Sequence, residues 1–184
     1  GRGQVNVKNG LKPFGIDFIK EMESLGMIID VSHLSDAGVY GVLKYTNTPF
    51  VASHSNARGI CRHSRNLPDE LIKLMASRGC VIGINFYPPF LKTGNAKEKR
   101  GNEKENKGSI SSIINHVKHM LNVGGSHCIG RGSDFDGIPG HDELRDASYW
   151  PRLAQSLEDS GVAYGDIENI FYKNVLNLYK EVLK

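Results

Sequence analysis

Four short apolar runs constrain this chain more than any other feature: Met27–His33, Pro49–His54, Cys80–Phe86 and Cys128–Phe135. Each is nearly continuous in hydrophobic residues, and each is followed by a segment long enough for a helix. Strands of that kind are buried on both faces, which is the situation in a parallel sheet with helical crossovers and not in an antiparallel sheet wetted on one side. The chain therefore reads as α/β. Three of the runs end on polar residues of ligand type: His33, His54 and, in Gly132-Ser133-Asp134, Asp134. Parallel strands gather such exits at one mouth, where barrel enzymes keep their chemistry.

The intervening segments carry helix signals. Phe14, Phe18, Met22 and Leu25 recur at helical spacing before Gly26, which predicts a helix with those residues inward. Ser35 is placed to cap a helix reaching about Tyr45, with Val39, Val42 and Leu43 facing the core. Pro68-Asp69-Glu70 opens another, which Gly79 ends. Further helices are expected over 109–123, 148–160 and 165–183. The count is about four βα units, part of a (β/α)₈ TIM-type barrel and close to its C-terminal half. A complete barrel takes about 250 residues, against 184 here.

One partial barrel domain over 1–184 is expected, interrupted by a flexible loop insertion at 92–108 where Gly, Asn, Lys and Glu replace hydrophobic residues. Because it follows the third strand, that loop would rise on the catalytic side, as solvated chain or as a lid. The net charge of +3 comes from 23 basic and 20 acidic residues dispersed along the chain, which argues against nucleic acid as a partner. Three widely spaced cysteines, Cys61, Cys80 and Cys128, form no CxxC pair and suggest buried thiols in a reducing, cytoplasmic setting. No apolar stretch approaches the 18 or so residues of a membrane span. There is no signal-peptide pattern, and Gly1-Arg2-Gly3-Gln4 suggests a start inside a longer protein.

Imidazoles at the same level of adjacent parallel strands, about 4.8 Å apart, can reach one ion at zinc–nitrogen distances of roughly 2.0–2.1 Å. His33 and His54 fit that description, and each alone would read as a hydrogen-bonded structural residue. Asp134 could act as ligand or proton-transfer group, or simply close a turn with Asp136-Gly137. Arg58, Arg62 and Arg65 share the loop after the second strand. A guanidinium there could hold a substrate carboxylate, and composition does not choose among the three. His116 and His119 share a face of an outer helix and read as surface residues. His127 lies at the far end of its strand, and His63 and His141 are loop residues with no evident partner. Gly130-x-Gly132 lacks the helix that a dinucleotide fingerprint requires.

Taken together, several ordered blocks resemble the zinc dipeptidases of the membrane (renal) dipeptidase family, in their bacterial form. They are Gly10-Leu11-Lys12-Pro13-Phe14-Gly15, Gly26–His33, Ser53-His54-Ser55-Asn56-Ala57-Arg58, Arg65-Asn66-Leu67-Pro68-Asp69-Glu70, Gly83-Ile84-Asn85-Phe86-Tyr87 and Gly132-Ser133-Asp134-Phe135-Asp136-Gly137. The resemblance implies a (β/α)₈ barrel that hydrolyses dipeptides at a two-zinc (Zn2+) site. It implies His33 and His54 as ligands of one zinc, Arg65 as the grip on the dipeptide's C-terminal carboxylate, and Asp134 as the catalytic group that handles protons near the substrate amine.

The family's other zinc is held by a His-x-Asp pair, and a glutamate bridges both ions. No His-x-Asp occurs here, and no glutamate matches the bridge. The expectation is therefore a C-terminal half carrying one ligand pair, with weak metal binding and little turnover by itself. Two other readings stand beside it. One is a different metal-dependent barrel amidohydrolase. The other is a catalytically incompetent half-barrel that assembles with a partner or as a homodimer.

Overall fold

A computed structural model describes residues 9–92, 108–139, 141 and 143–183. Its centre is a parallel sheet of three strands in the order β1 (Val51–Ala52), β2 (Val81–Asn85), β3 (Ile129–Ser133). Neighbours in the sheet are neighbours in sequence, as expected when each strand is followed by a helical crossover.

The first apolar run is not a full strand. It joins the sheet through a single parallel bridge, Asp30 to Val51, with Val31 N donating to Val51 O at 2.8 Å and Val51 N to Ile29 O at 2.9 Å. Of the four expected strands, three form, and the fourth is an edge segment. The physical reason lies in Ser32, His33, Ser53 and His54, whose polar groups bond to one another where a longer ladder would have run.

The helices fall where periodicity and capping put them. α1 (Pro13–Ser24) starts with proline in its first turn, and Gly26 at φ +68° turns the chain toward the edge segment. The inward stripe differs from expectation. Phe14 is 80% exposed and Phe18 and Leu25 are also exposed, while Ile19 is buried. Helical spacing predicts the helix, yet two apolar stripes compete on it and packing against α2 selects the one through Ile19.

α2 (Asp36–Tyr45) is capped by Ser35, whose Oγ accepts from Gly38 N at 3.2 Å. Arg78, closing α3 (Asp69–Ser77), donates to the carbonyls of Thr46 and Leu43 at the end of α2. That places a cation on a helix C-terminus, where the dipole favours it. α4 (Pro88–Leu91) is one turn, and α5 (Ile110–Gly124) lies against α3. α6 (Trp150–Asp159), α7 (Tyr164–Glu168), a π turn over Asn169–Lys173 and α8 (Asn174–Val182) complete the described chain.

The sheet is covered on both faces. Ile82, Ile84, Ala52 and Ile129 enter the main core with α2, α3 and α5, whereas Val81 meets Leu178 and Val182 of α8 on the other side. Asn174 ties α8 down, donating to Ile129 O at 2.8 Å and Ser126 O at 2.6 Å. The expected loop insertion at 92–108 and its lid alternative fall almost wholly outside the described residues.

Candidate functional site

Parallel register brings the two histidines together. Asp30 is bridged to Val51, so His33 and His54 each lie three residues beyond a bridged pair and leave their segments at the same level. Their Nε2 atoms stand 3.0 Å apart, with ring centroids at 5.0 Å. Burial, followed by the charges of Arg65 and His54, lowers the pKa of His33 against the opposing pull of Asp30. His33 is thus held toward the neutral form that binds metals.

Beneath the pair lies a carboxylate that sequence reasoning left without a role. Asp30 Oδ1 accepts from Ser32 N (3.0 Å), Ser32 Oγ (2.7 Å) and Ser53 N (3.0 Å), and Oδ2 accepts from Ser53 Oγ at 2.5 Å. Partial burial alone would raise its pKa, but these hydrogen bonds outweigh burial and hold it below the usual range. The available signal was a serine before each strand-exit histidine, Ser32-His33 and Ser53-His54. Ser126-His127 repeats the dipeptide at a strand entrance, so only position along the strand separates them.

Asp134 sits at the exit of β3 in an unusual conformation. Ser133 (φ +38°) and Asp134 (φ +72°) are consecutive non-glycine residues at positive φ, a strained arrangement that surrounding contacts must hold. Two features do so. An irregularity in register between Ile84 and Asn85 pairs Asn85 with Ser133 and brings Asn85 Nδ2 to Asp134 Oδ2 at 3.1 Å. Gly137 supplies the second, because a Cβ there would collide with Asp134 Oδ1.

Asn85 is fully buried. Its backbone N–H donates to Asn56 Oδ1, its carbonyl accepts from Asn56 Nδ2, and its Oδ1 accepts from Tyr87 N. Neither asparagine was singled out from sequence, since their partnership spans 29 residues and leaves no local pattern.

Geometry separates the three arginines. Arg58 is occupied: it grips Asp36 with both terminal nitrogens, at 2.6 and 2.8 Å, and bonds Asn66 O. Arg62 is exposed. Arg65 donates from Nε to Ser32 O at 3.2 Å and lies over the Phe90 ring at 5.4 Å. Its Nη2 is buried and has no hydrogen-bond partner among the described residues. Burial lowers the Arg65 pKa, while the negative charges of Asp134 and Asp30 pull it back. A part-buried guanidinium with an enclosed, unused donor, within electrostatic reach of Asp30, Asp134 and His33, has the chemistry to receive an anionic group.

His116 and His119 depart from the surface assignment, and His63 and His141, read as loop residues without an evident partner, acquire partners. His116 is fully buried: its Nδ1 accepts from Ala57 N at 3.1 Å, and its Nε2 donates to Leu91 O at 3.0 Å. His119 Nε2 meets Asp69 Oδ1 at 2.8 Å. His63 packs on Phe90 and accepts from Arg65 N, and His141 Nδ1 receives the amides of Glu143 and Leu144.

Zinc at roughly 2.05 Å from two tetrahedral ligands needs them about 3.3 Å apart, close to the His33–His54 separation. As a donor set the pair fits one side of a zinc ion. Among the described residues no group of three or more His, Cys, Asp or Glu surrounds a common point.

The profile of the membrane dipeptidase family, peptidase family M19, matches residues 2–184. An uncharacterised protein from the pqqA 5′ region of Klebsiella pneumoniae is 33% identical over 180 residues, covering 98% of this chain and 64% of its own length. Dipeptidase tcpJ of Claviceps purpurea is 32% identical over 177 residues, covering 96% of this chain and 39% of its own. Among solved structures, a metallopeptidase from Rhodobacter sphaeroides, liganded with a phosphinate mimic of the dipeptide L-Ala-D-Ala, superposes with a TM-score of 0.84 at 25% identity. That match covers 95% of this chain and 48% of the other. The chain thus spans well under two thirds of most of these relatives. It belongs to the membrane dipeptidase family, a family of metallopeptidases.

Proposed function

We propose that this chain contributes the strand-exit half of a zinc-dependent dipeptide hydrolase site, within a (β/α)₈-type barrel. The observation that carries the reading is the convergence of the His33 and His54 Nε2 atoms near a part-buried guanidinium whose enclosed Nη2 has no partner among the described residues. In this reading His33 and His54 hold one of two metal ions. Bound metal supplies Lewis-acid polarisation of the peptide carbonyl and lowers the pKa of attacking water. Arg65 receives the C-terminal carboxylate of the dipeptide and fixes which carbonyl faces the metal. Asp134, aimed by Asn85, takes and returns protons near the substrate amine. The remaining ligands have to come from outside the residues named here, so the chain by itself is expected to bind zinc weakly and turn over little.

The test is release of free amino acids from a dipeptide panel by the isolated chain with added zinc, alongside zinc stoichiometry. Weak binding and negligible turnover are expected. Turnover matching that of a full-length relative would overturn the half-site assignment. Replacement of Arg65 by Ala in an active, complete form is expected to raise KM for dipeptides at least tenfold. An unchanged KM would favour amide or lactone substrates without a free carboxylate.

A second reading, self-assembly, is favoured by one feature. Phe14, Phe18, Leu25 and Met27 are all exposed on α1 and the turn that leads into the edge of the sheet. Light scattering after size exclusion is expected to give a mass above that of one chain. A well-behaved monomer would remove this reading.

A further inference from the structure

The hydroxyl of Ser53 touches both the Asp30 carboxylate, 2.5 Å from Oδ2, and the His54 ring, 2.7 Å from Nδ1. A third, longer contact is Ser32 Oγ at 3.2 Å. Ser53 has one proton to give, and the surroundings decide where it goes. Asp30 already takes three other donors on Oδ1, so it acts only as an acceptor. Were Ser53 to donate to His54 instead, two lone-pair oxygens would face each other at 2.5 Å with no proton between them. Ser53 therefore donates to Asp30, and its oxygen accepts from His54 Nδ1–H. Ser32 cannot take over this duty. Its own proton goes to Asp30 Oδ1, and its oxygen accepts the His54 backbone N–H at 3.0 Å.

We propose that Ser53, held by Asp30, is a positioning residue that fixes His54 in its Nδ1–H tautomer and thereby presents the Nε2 lone pair to a divalent metal. The proposal rests on the metal-centre reading above. It adds a hydrogen-bonded relay, carboxylate to hydroxyl to imidazole, that orients a ligand from behind, as second-layer partners of metal-bound histidines do. With its Nε2 lone pair free of metal, His54 can accept a hydrogen bond from His33 Nε2–H across the 3.0 Å between them.

The experiment is a long-range ¹H–¹⁵N spectrum of the uniformly ¹⁵N-labelled, metal-free chain at about pH 8.5, above the ordinary histidine range. His54→Gln identifies the resonances by their loss. In the wild type and in Ser53→Thr, Nδ1 of His54 is expected to carry the proton and Nε2 to show the lone-pair shift. In Ser53→Ala the Nε2–H form is expected to dominate. Calorimetric titration with zinc alone is expected to show affinity lowered roughly 10- to 100-fold in Ser53→Ala and restored in Ser53→Thr. Asp30→Asn, which leaves the Ser53 hydroxyl in place, is expected to lose the tautomer preference as well.

An Nε2–H tautomer in the wild type, or a Ser53→Ala variant with wild-type tautomer and wild-type zinc affinity, would overturn the relay. A wild-type chain that binds no zinc yet shows the Ser53-dependent Nδ1–H signature would overturn the metal centre while upholding the tautomer assignment.

Discussion

His116 offers a stability measurement with a defined sign. The side chain is inaccessible to solvent and sits between the Ala57 amide and the Leu91 carbonyl. Burial pushes its pKa from 6.5 down to about 4; the hydrogen bond to Leu91 opposes that shift, and His119 adds a smaller downward push. The folded protein therefore holds His116 neutral while the unfolded chain protonates it at ordinary pH values. A histidine with a depressed folded pKa contributes stability that is complete above the unfolded pKa of 6.5. That stability drains away as pH falls toward about 4, and below that both states are protonated. At about 1.36 kcal/mol per pH unit, the window amounts to about 3 kcal/mol.

The assay is urea unfolding of the wild type and His116→Gln at a series of pH values between 7.5 and 4. Gln does not titrate, and its amide can replace one of the two hydrogen bonds, so the variant is expected to be less stable at pH 7.5. The gap between the two proteins is then expected to close by about 3 kcal/mol on acidification. Carboxylates with lowered pKa values, such as Asp30 and Glu23, lose their contributions in both proteins and cancel in the difference. A gap that stays constant across the range would refute the reasoning, because it would mean that His116 titrates alike in the folded and unfolded chain.

Three further outcomes are expected. Asn85→Ala removes the acceptor of the Tyr87 amide and the donor to Asp134, and is expected to cost about 1–3 kcal/mol in urea unfolding; a loss below 0.5 kcal/mol would count against a buried, satisfied Asn85. Arg65→Met removes an enclosed Nη2 donor without a partner among the described residues at the cost of one long hydrogen bond to Ser32 O, and keeps an apolar stem against Phe90, so stability is expected to change by no more than about 1 kcal/mol even as dipeptide binding weakens; a clear drop in the urea midpoint would show that Arg65 is structural. Burial pushes the thiols of Cys80 and Cys128 up to about 12 and about 11, so neither is expected to react with a thiol reagent at pH 8 until the chain is denatured. Rapid labelling of either in the native protein, read by mass spectrometry, would contradict their burial.

Much of the architecture was legible because it depends on local preferences. Near-continuous apolar runs, a serine or proline at helix starts and glycines at positive φ after α1 and α3 specify alternating strands and helices whatever their partners. The candidate site was legible in part for the same reason. His33, His54 and Asp134 end runs of strand type, and the parallel register delivers the two histidines to one level, with Asp134 one residue beyond the Asn85–Ser133 pair. The reading failed where two stretches of chain had to meet. Phe14 and Ile19 lie on different faces of one helix, and only the neighbour that covers α1 decides which face is inward. His116 reads as a surface residue until the loop after β1 and the end of α4 close over it.

The sequence by itself determined the class of fold, the order of its elements and the residue types at the strand exits. Tertiary structure alone decided which arginine is left with a donor to offer. It also placed Asn85 behind Asp134 and joined Asp30, Ser53 and His54 in one chain of hydrogen bonds. The reason is range: φ/ψ preferences and periodicity act within a few residues, whereas burial and hydrogen-bond pairing are settled between groups 20 to 50 positions apart.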